Sequence, residues 1–382
     1  MKSVYLDNGA TSFPKAPGVA ESMIYYINNV GCNINRGAYD TSYEAENVVF
    51  ETRELICKLF NFDKPENVIF TKNITESLNI LIKGLIKKGD HVIVSSMEHN
   101  AVMRPINSLV KKGVEFSRVM CDEFGRLKSE DIKKYIKENT KAVIMTHSSN
   151  VCGTVLDLEE VGKICRERNI KFIIDSAQTA GFLDLDYKKL GADAVAFTGH
   201  KGLLGPQGIG GFIINDNLVS EMESLIEGGT GSLSEYELQP DYMPDKFEAG
   251  TLNIPGIYGL NAALKYLNKE GLEAIREKEL YLVKHFLEKI NNIEGIRLVG
   301  KNDIKDRTGV VSIDFKNHDN AEISYRLYKE FGIKTRCGLH CAPSAHKTLK
   351  TFPNGTVRFS FSHFNTVGEV NYTVDSIMRC LK

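Results

Sequence analysis

The residue with the clearest chemical potential is Lys201, in the segment AVAFTGHKGLLGPQGIGG. It directly follows an apolar run that reads as a strand and precedes a glycine-rich turn. A lysine at the mouth of a site becomes a nucleophile toward carbonyl groups when partial burial or a nearby cation lowers its pKa, and the product is a Schiff base. Thr198 and His200, beside it, suit a phosphate group. Most isolated lysines after a strand are simply solvated, so this interpretation depends on the residues upstream.

Upstream, the segment KFIIDSAQTAG places Asp175 at the end of another apolar run, followed by Gln178. An acid in this position is often no more than a helix cap. Pyridoxal phosphate, however, needs a carboxylate at its ring nitrogen, a lysine for its aldehyde and donors for its phosphate. Asp175, Lys201 and a donor set supply all three. The donors are Thr75, Thr198 and His200.

These side chains need a scaffold, and the chain between about residue 66 and residue 215 predicts one. Short apolar runs alternate there with amphipathic segments, which is the pattern of βα units around a mostly parallel sheet covered on both faces. The predicted strands are Asn67–Thr71, His91–Ser95, Ala142–Thr146, Lys171–Asp175, Ala192–Thr198 and Gly210–Asn215. Ligands of such sheets bind at the carboxyl ends of strands. That rule selects Asn73, Glu98, His99, Asn150, Asp175, Gln178, His200 and Lys201.

The remainder of the chain predicts a second, smaller α+β domain. A Gly-, Pro- and Ser-rich segment at 227–256 is too long for a simple connector, and such loops are usually functional. Periodicity then predicts helices at Ile257–Asn268 and Leu272–Ile290 and strands at Val310–Phe315 and Thr356–Phe361. We therefore expect an N-terminal arm at 1–15 that belongs to the small domain, a large cofactor-binding domain at 16–256 and a small domain at 257–382.

Composition excludes several classes of protein. The 382 residues are 42% hydrophobic and 25% charged, which is the usage of an ordinary folded chain. With 48 basic against 49 acidic residues, no global field favours nucleic acid or an anionic membrane. No apolar run approaches the ~20 residues that cross a bilayer, and the N-terminus does not read as a secretory signal. We expect a cytoplasmic protein in which most of the 8 cysteines are plain core thiols and no residue binds a metal.

Eight motifs in one order make the chain resemble a known group of enzymes, the cysteine desulfurases and selenocysteine lyases. This group lies within the class V aminotransferase-like enzymes of fold-type I, and the resemblance runs nearly end to end. The motifs are YLDNGAT at the start, NITES at 73–77, EHNAV at 98–102, HSSNVCGT at 147–154, IDSAQ at 174–178, TGHK at 198–201, EAGTLN at 248–253 and RCGLHCAP at 336–343.

The resemblance implies a role for each matching residue. Lys201 would be the Schiff-base lysine, Asp175 the partner of the pyridine nitrogen and His99 the ring stacked on the cofactor. Gln178 would lie near the cofactor hydroxyl, and Asn150 near the ring and the substrate. Thr75, Thr198 and His200 would hold the phosphate, Arg358 would bind the substrate carboxylate, and Thr251 would reach the cofactor of the other subunit in a homodimer. The family turn commonly opens with Gly where Asn73 stands, and Asn tolerates left-handed backbone better than most residues.

Cys341 matches the family position that takes sulfur from the substrate. A neighbouring positive charge favours the reactive thiolate, and Arg336 and His340 are candidate neighbours. The residues alone leave other readings open. These are a core thiol, a zinc site with Cys337 and His340 or His346, and a disulfide between Cys337 and Cys341. The segment is short, like that of the group II desulfurases, which implies limited reach to sulfur acceptors without a helper protein. We expect a sulfur-acceptor protein as a partner.

The resemblance thus predicts a pyridoxal phosphate enzyme that converts L-cysteine to L-alanine and leaves a persulfide on Cys341. Selenocysteine lyase is the nearest alternative, with L-selenocysteine as the small-molecule substrate. An aminotransferase or a desulfinase on the same fold is another. From a different class, a catalytically silent scaffold or a zinc-binding interaction protein would keep the fold without the chemistry.

Overall fold

The computed structural model describes residues 3–35 and 37–382. The strands in chain order are β1 (Val4–Tyr5), β2 (Val68–Thr71), β3 (His91–Ser95), β4 (Glu115–Val119), β5 (Thr140–Thr146), β6 (Lys171–Asp175), β7 (Ala194–Thr198), β8 (Gly210–Ile214), β9 (Ile296–Val299), β10 (Val310–Phe315), β11 (Ile333–Lys334), β12 (Arg336–Gly338) and β13 (Thr356–Ser360). The helices are α1 (Val19–Tyr25), α2 (Asp40–Phe60), α3 (Ile74–Leu85), α4 (Asn100–Val110), α5 (Leu158–Glu167), α6 (Tyr187–Leu190), α7 (Asp216–Glu221), α8 (Ile254–Glu270), α9 (Leu272–Ile290), α10 (Asn320–Phe331), α11 (Pro343–Thr348) and α12 (Val367–Cys380).

A seven-stranded sheet forms the centre of the larger part, in the order β2-β8-β7-β6-β5-β3-β4. Its pairings are parallel except for β8, which runs antiparallel to both β2 and β7. Alternate residues enter two separate cores, as Phe172 and Ile173 of β6 do on opposite faces. Burial on both faces explains why these strands are apolar throughout. The predicted α/β fold with a mostly parallel sheet is confirmed.

The six predicted strands of this sheet are present, each within two residues of the expected bounds. The seventh, β4, was missed. Its sequence, EFSRV, carries two charges and an exposed start because β4 lies at the edge of the sheet and pairs on one side with β3. An edge strand needs less burial, so its sequence lacks the continuous apolar signal.

The C-terminal part holds an antiparallel sheet in the order β12-β13-β10-β9. The N-terminal arm joins it, because β1 pairs in parallel with β11 and Asp7 bridges to Ser360. Helix α9 has the bounds expected from the sequence, whereas α8 begins at Ile254, three residues earlier than expected. Asn253 caps that start by accepting a hydrogen bond from the Gly256 N–H at 3.0 Å. The boundaries predicted at 15 and 256 stay a prediction.

Within the described ranges, no helix combines the length and apolar content needed to cross a membrane.

A buried ion pair fixes the segment that leads to Thr251. Arg53 of α2 donates to Glu248 at 3.1 and 2.7 Å, and both side chains are more than nine-tenths buried. Glu248 also accepts from the Phe70 N–H of β2 at 2.6 Å, and Arg53 donates to the Val68 carbonyl. The pair therefore ties α2, β2 and the EAGTLN segment together.

Substituting Glu248→Gln should destabilise the protein by roughly 3 kcal/mol or more, because the Arg53 charge stays buried without its counter-ion. The measurement is the Tm by scanning calorimetry. The matched control is Glu223→Gln, whose carboxylate pairs with Lys87 at 2.6 Å with both side chains largely exposed. That control should leave the Tm unchanged. Equal Tm values for the Glu248 variant and the wild type would contradict the assignment.

Candidate active site

Lys201 lies three residues beyond the end of β7, next to Asp175 at the end of the neighbouring strand β6. Its Nζ forms no hydrogen bond with the described part of the chain. Burial lowers the pKa of Lys201 to about 8, although the nearby Asp175 carboxylate acts in the opposite direction. The amine is therefore available in its free-base form at only mildly basic pH, which is what a nucleophile or proton acceptor requires.

Asp175 is 2% exposed. One carboxylate oxygen, Oδ1, accepts from the Ala177 N–H at 2.9 Å, which is the local capping contact that an acid after a strand commonly makes. Burial nevertheless raises the pKa of Asp175 despite that contact and the pull of Lys201. A cationic ring nitrogen beside this carboxyl would stabilise its charged form, so the site fits a pyridinium partner.

Polar atoms suited to a phosphate lie around the same strand ends. Thr198 Oγ1 and His200 Nδ1 are buried without a hydrogen-bond partner in the described structure. Such orphaned atoms are uncommon in folded proteins and indicate a missing partner. Thr75 stands exposed in the first turn of α3, where free backbone N–H groups favour an anion. These observations fit the phosphate of pyridoxal phosphate.

The turn before α3 differs from expectation. Asn73 is extended, with φ −173° and ψ 167°, and not left-handed. The reason is that Asn73 caps the helix by accepting from the Glu76 N–H at 3.0 Å, while Glu76 accepts from the Lys72 N–H at 2.6 Å. Only the first contact belongs to a capping box, because Glu76 reaches the N–H of Lys72 and not that of the Asn73 cap.

His99 precedes α4 and caps it, since its Nδ1 accepts from the Ala101 N–H at 3.0 Å. This contact places the proton of the neutral ring on Nε2. Burial, with the Lys201 charge adding to it, lowers the pKa of His99 to about 4. His99 is thus a flat neutral ring with an N–H free to interact, as stacking on a cofactor would require.

Cys341 is exposed, and its backbone is held in the same site by two hydrogen bonds. The Asn100 N–H donates to the Cys341 carbonyl at 2.7 Å, and Asn150 Nδ2 donates to the His340 carbonyl at 2.7 Å. Both His340 and Cys341 have positive φ, at 46° and 56°. Non-glycine residues keep such backbone where surrounding contacts impose it, and it occurs often at functional sites. Cys341 thus lies directly beside the start of the His99 helix.

Thr75, His99 and Cys341 line one cavity of about 320 Å³. The other residues around it are Asn79, Lys83, Asn100, Ala101, Arg104, Pro105 and Ser108. Three residues that were distant in sequence are therefore brought together at one opening. Lys201 and Gln178 line a second, smaller cavity, and Gln178 Nε2 donates to the Gly9 carbonyl at 3.1 Å.

Arg358 connects the substrate side of the site to the rest of the fold. It is 2% exposed, and its Nη1 donates to the Asn150 carbonyl at 3.0 Å. Its Nη2 donates to Asp7 at 3.3 Å, and its buried Nε has no partner in the described structure. A carboxylate could accept from the free Nε, which agrees with the role that the resemblance implies.

Two charged neighbours of Arg358 were not assigned a role from the sequence. Asp7 belongs to the quoted motif YLDNGAT, and Arg336 was considered only as a neighbour of Cys341. The signal for Asp7 was its position, an acid directly after the apolar run Val4 to Leu6. Glu98, which the strand-end rule selected, is a further buried acid, and burial raises its pKa to about 8.

Three possibilities considered for the cysteine segment are not met, namely a cationic His340, a metal site and a disulfide. His340 is buried, its ring contacts Thr356 Oγ1 at 3.1 Å, and burial lowers its pKa to about 2, so it supplies no positive charge to Cys341. Across residues 3–35 and 37–382, no group of three or more His, Cys, Asp or Glu side chains could hold a metal ion. All eight cysteines are free thiols, so Cys337 and Cys341 form no disulfide.

Thr251 does not join the other predicted residues. It is exposed and lines a separate cavity of about 400 Å³, together with the loops around Asn35 and Thr230. In the described part of the chain it lines neither the cavity of Cys341 nor that of Lys201, and its role toward a second subunit stays a prediction.

The fold and the lysine-centred site define a class of protein. The family described as aminotransferase class-V matches residues 4–373, and the chain therefore belongs to that family.

Within the family, the similar proteins are cysteine desulfurases. A probable cysteine desulfurase of Pyrococcus abyssi is 37% identical over 96% of this chain and 91% of its own length. One from Methanothermobacter thermautotrophicus is 36% identical over 96% of this chain and 92% of its length. The apo structure of cysteine desulfurase from Thermococcus onnurineus NA1 superposes with a TM-score of 0.92 at 34% identity, over 99% of this chain and 94% of that one.

The lowered pKa of Lys201 predicts how the protein takes up pyridoxal phosphate. The free amine is the nucleophile, so the rate of incorporation into apoprotein should rise with pH and level off above a midpoint near 8. The measurement is the absorbance change on mixing across a pH series. A Lys201→Ala variant is the control for non-covalent binding. A midpoint above pH 10, where an ordinary lysine titrates, would contradict the buried setting.

Proposed function

We propose that the protein is a pyridoxal phosphate-dependent cysteine desulfurase, which converts L-cysteine to L-alanine and holds the released sulfur on Cys341 as a persulfide. One observation carries the proposal. An exposed thiol, Cys341, is held by Asn100 at the start of the helix that His99 caps, at the site of the partly buried Lys201 and the buried Asp175. An aminotransferase needs no such thiol. The cysteine desulfurase names of the similar proteins support the same activity.

The chain's own residues would hold the cofactor. Lys201 would bind its aldehyde, Asp175 would face its ring nitrogen, and His99 would stack on the ring. Thr75, Thr198 and His200 would bind the phosphate, Gln178 would lie near the cofactor hydroxyl, and Asn150 would lie near the ring and the substrate. When bound, pyridoxal phosphate joins the substrate amine and supplies an electron-accepting ring.

Substrate binding rests on Arg358 and Asn150. The free Nε of Arg358 would donate to the substrate carboxylate, and Asn150 fixes that guanidinium by accepting from Nη1 at 3.0 Å. The Arg358 contact uses the Asn150 backbone carbonyl, whereas the Asn150 side chain holds the Cys341 segment by donating to the His340 carbonyl. One residue therefore couples the position of the substrate carboxylate to the position of the thiol that receives sulfur.

Proton movements are assigned to Lys201 and His99. Lys201 Nζ takes the proton from the substrate Cα, since its lowered pKa of about 8 leaves a usable fraction of free base. Asp175 keeps the ring nitrogen protonated by its negative charge. His99 Nε2 carries a proton to the substrate, because its Nδ1 is occupied by the Ala101 N–H.

The sulfur step belongs to Cys341. Its thiolate attacks the substrate sulfur, an S–S bond forms, and the Cβ–S bond breaks with its electron pair left on Cβ. A proton added at Cβ and the return of the proton from Lys201 to Cα complete alanine, so that cysteine and a thiol give alanine and a persulfide. Four residues, Leu339 to Ala342, separate β12 from α11. This short connection limits the reach of Cys341, which supports a separate sulfur-acceptor protein. A reducing compartment such as the cytoplasm suits an exposed thiol of this kind.

A homodimer forms part of the proposal. Large apolar side chains are exposed on α1, on the turn after it and on α2, and others follow at 225–242. Asn35 Nδ2 donates to the Thr230 carbonyl at 3.2 Å, so these two regions meet beside Thr251. Extended apolar surface of this kind is typical of an interface between proteins. The exposed set is Ile24, Tyr25, Ile27, Tyr39, Tyr43, Phe50, Leu225, Ile226, Leu233, Tyr236, Leu238 and Tyr242.

Replacing Cys341 by Ser should abolish sulfur transfer from L-cysteine while the bound cofactor keeps its absorbance, because Lys201 and Asp175 are untouched. The measurement is the alanine formed with a thiol reductant. Cys337→Ser is the matched control, since Cys337 is also exposed and lies on the same segment. Alanine formation at the wild-type rate by the Cys341 variant would exclude this thiol as the sulfur acceptor.

Charging the exposed apolar surface should separate the subunits. The double variant Ile27→Glu, Phe50→Glu should sediment as a monomer and retain cofactor more weakly, because Thr251 then no longer reaches a neighbouring site. Tyr325→Glu is the control, since Tyr325 on α10 is as exposed as Ile27, at 62% each. A monomeric wild type, or a double variant that stays dimeric, would refute this arrangement.

A further inference from the structure

Two arginines are placed directly opposite each other at the substrate side of the site. Arg336 of β12 and Arg358 of β13 are register partners in an antiparallel pair. Side chains in such positions project from the same face of the sheet, and like charges there repel. The pair therefore requires a nearby negative charge.

Asp7 supplies that charge from the N-terminal arm. Its carboxylate accepts from Arg336 Nε at 3.1 Å and Nη2 at 2.7 Å, and from Arg358 Nη2 at 3.3 Å. Asp7 is 8% exposed, whereas the Arg336 side chain is half-exposed. Two cations and one anion leave a net charge of one positive unit. The arm packs closely against Arg358 at Gly9, because a Cβ at this position would lie only 3.3 Å from the guanidinium carbon.

The position of Arg336 decides which part of a substrate would feel this charge. Arg336 lies within electrostatic range of Cys341 and of Lys201. If the α-carboxylate takes the free Nε of Arg358, a substrate side chain that points to Cys341 passes near Arg336. Without Asp7, the unneutralised Arg336 would attract a second anion on that side chain.

We propose that Asp7 is a specificity-determining residue that limits the pair of arginines at the substrate side of the site to one net positive charge. The site then accepts amino acids with an uncharged side chain, such as cysteine, and rejects those with a carboxylate on the side chain, such as aspartate. This inference rests on the proposed function in one respect, namely that Arg358 binds the α-carboxylate. Asp7 acts through the two arginines and is a positioning residue in that sense.

The test is the ratio of dissociation constants for L-aspartate and L-alanine, measured by calorimetry on the holoenzyme. Both ligands share the α-carboxylate, so a general loss of positioning affects both and cancels in the ratio. Asp7→Asn keeps the shape and removes the charge, and it should shift the ratio toward aspartate by about tenfold or more. Asp7→Glu restores the charge and should return the ratio toward that of the wild type.

Arg336→Gln provides a change of opposite sign. It removes one positive charge at a half-exposed position, so the ratio should shift further against aspartate. This variant leaves Asp7 in place, so its result does not depend on whether the protein folds with a substitution at Asp7. Any Asp7→Asn or Arg336→Gln ratio equal to that of the wild type would overturn the inference. A wild-type protein that binds neither amino acid would also overturn it, because no α-carboxylate site would then exist.

Alanine formation from L-cysteine is followed separately on the same samples. If no alanine forms but the ratios shift as described, the proposed function fails and the charge-setting role of Asp7 stands. If alanine forms and the ratios do not move, the role of Asp7 fails and the desulfurase assignment stands.

Discussion

The burial of one lysine beside one carboxyl is the constraint on which the rest of the site depends. Asp175 ends β6 and Lys201 follows the neighbouring strand β7, and neither has a charged hydrogen-bond partner in the described structure. Burial lowers the pKa of Lys201 to about 8 and raises the pKa of Asp175. Two groups whose pKa values are both shifted by burial, at one edge of a sheet, are typical of a binding site in which a ligand pairs with both groups.

The small sheet contributes what the central sheet lacks. Its strand β13 carries Arg358 and the segment after β12 carries Cys341, and both are tied to the central sheet by Asn150. The backbone of His340 and Cys341 is held in an unfavourable conformation by contacts from Asn150 and Asn100. The exposed thiol is thus fixed in position although it stands at the surface.

Much of this arrangement could be predicted from the sequence, for a physical reason. Strands buried on both faces are apolar throughout. The sequence therefore predicts β6 and β7 directly, together with the residues that end them, Asp175 and Thr198. Edge strand β4 was not readable, because an edge strand needs no continuous apolar run. Asn73 was misjudged because a helix cap and a left-handed turn both favour Asn.

Long-range partners were the features that sequence could not supply. Asp7 lies more than three hundred residues from Arg336 and Arg358, and no local pattern records that the arm returns to them. The isolation of Thr251 within one chain follows in the same way from tertiary structure alone. The resemblance implies a role for each residue separately. The structure shows in addition that Arg336 and Arg358 pair with the same carboxylate, that of Asp7.

The most direct test of the central claim is a single-turnover measurement on the purified holoenzyme with L-cysteine and no acceptor. Alanine is quantified, and the peptide that contains Cys341 is analysed by mass spectrometry. The account predicts one alanine for each Cys341 peptide that has gained one sulfur atom. Alanine without added sulfur on that peptide, or added sulfur on a different cysteine, would contradict it.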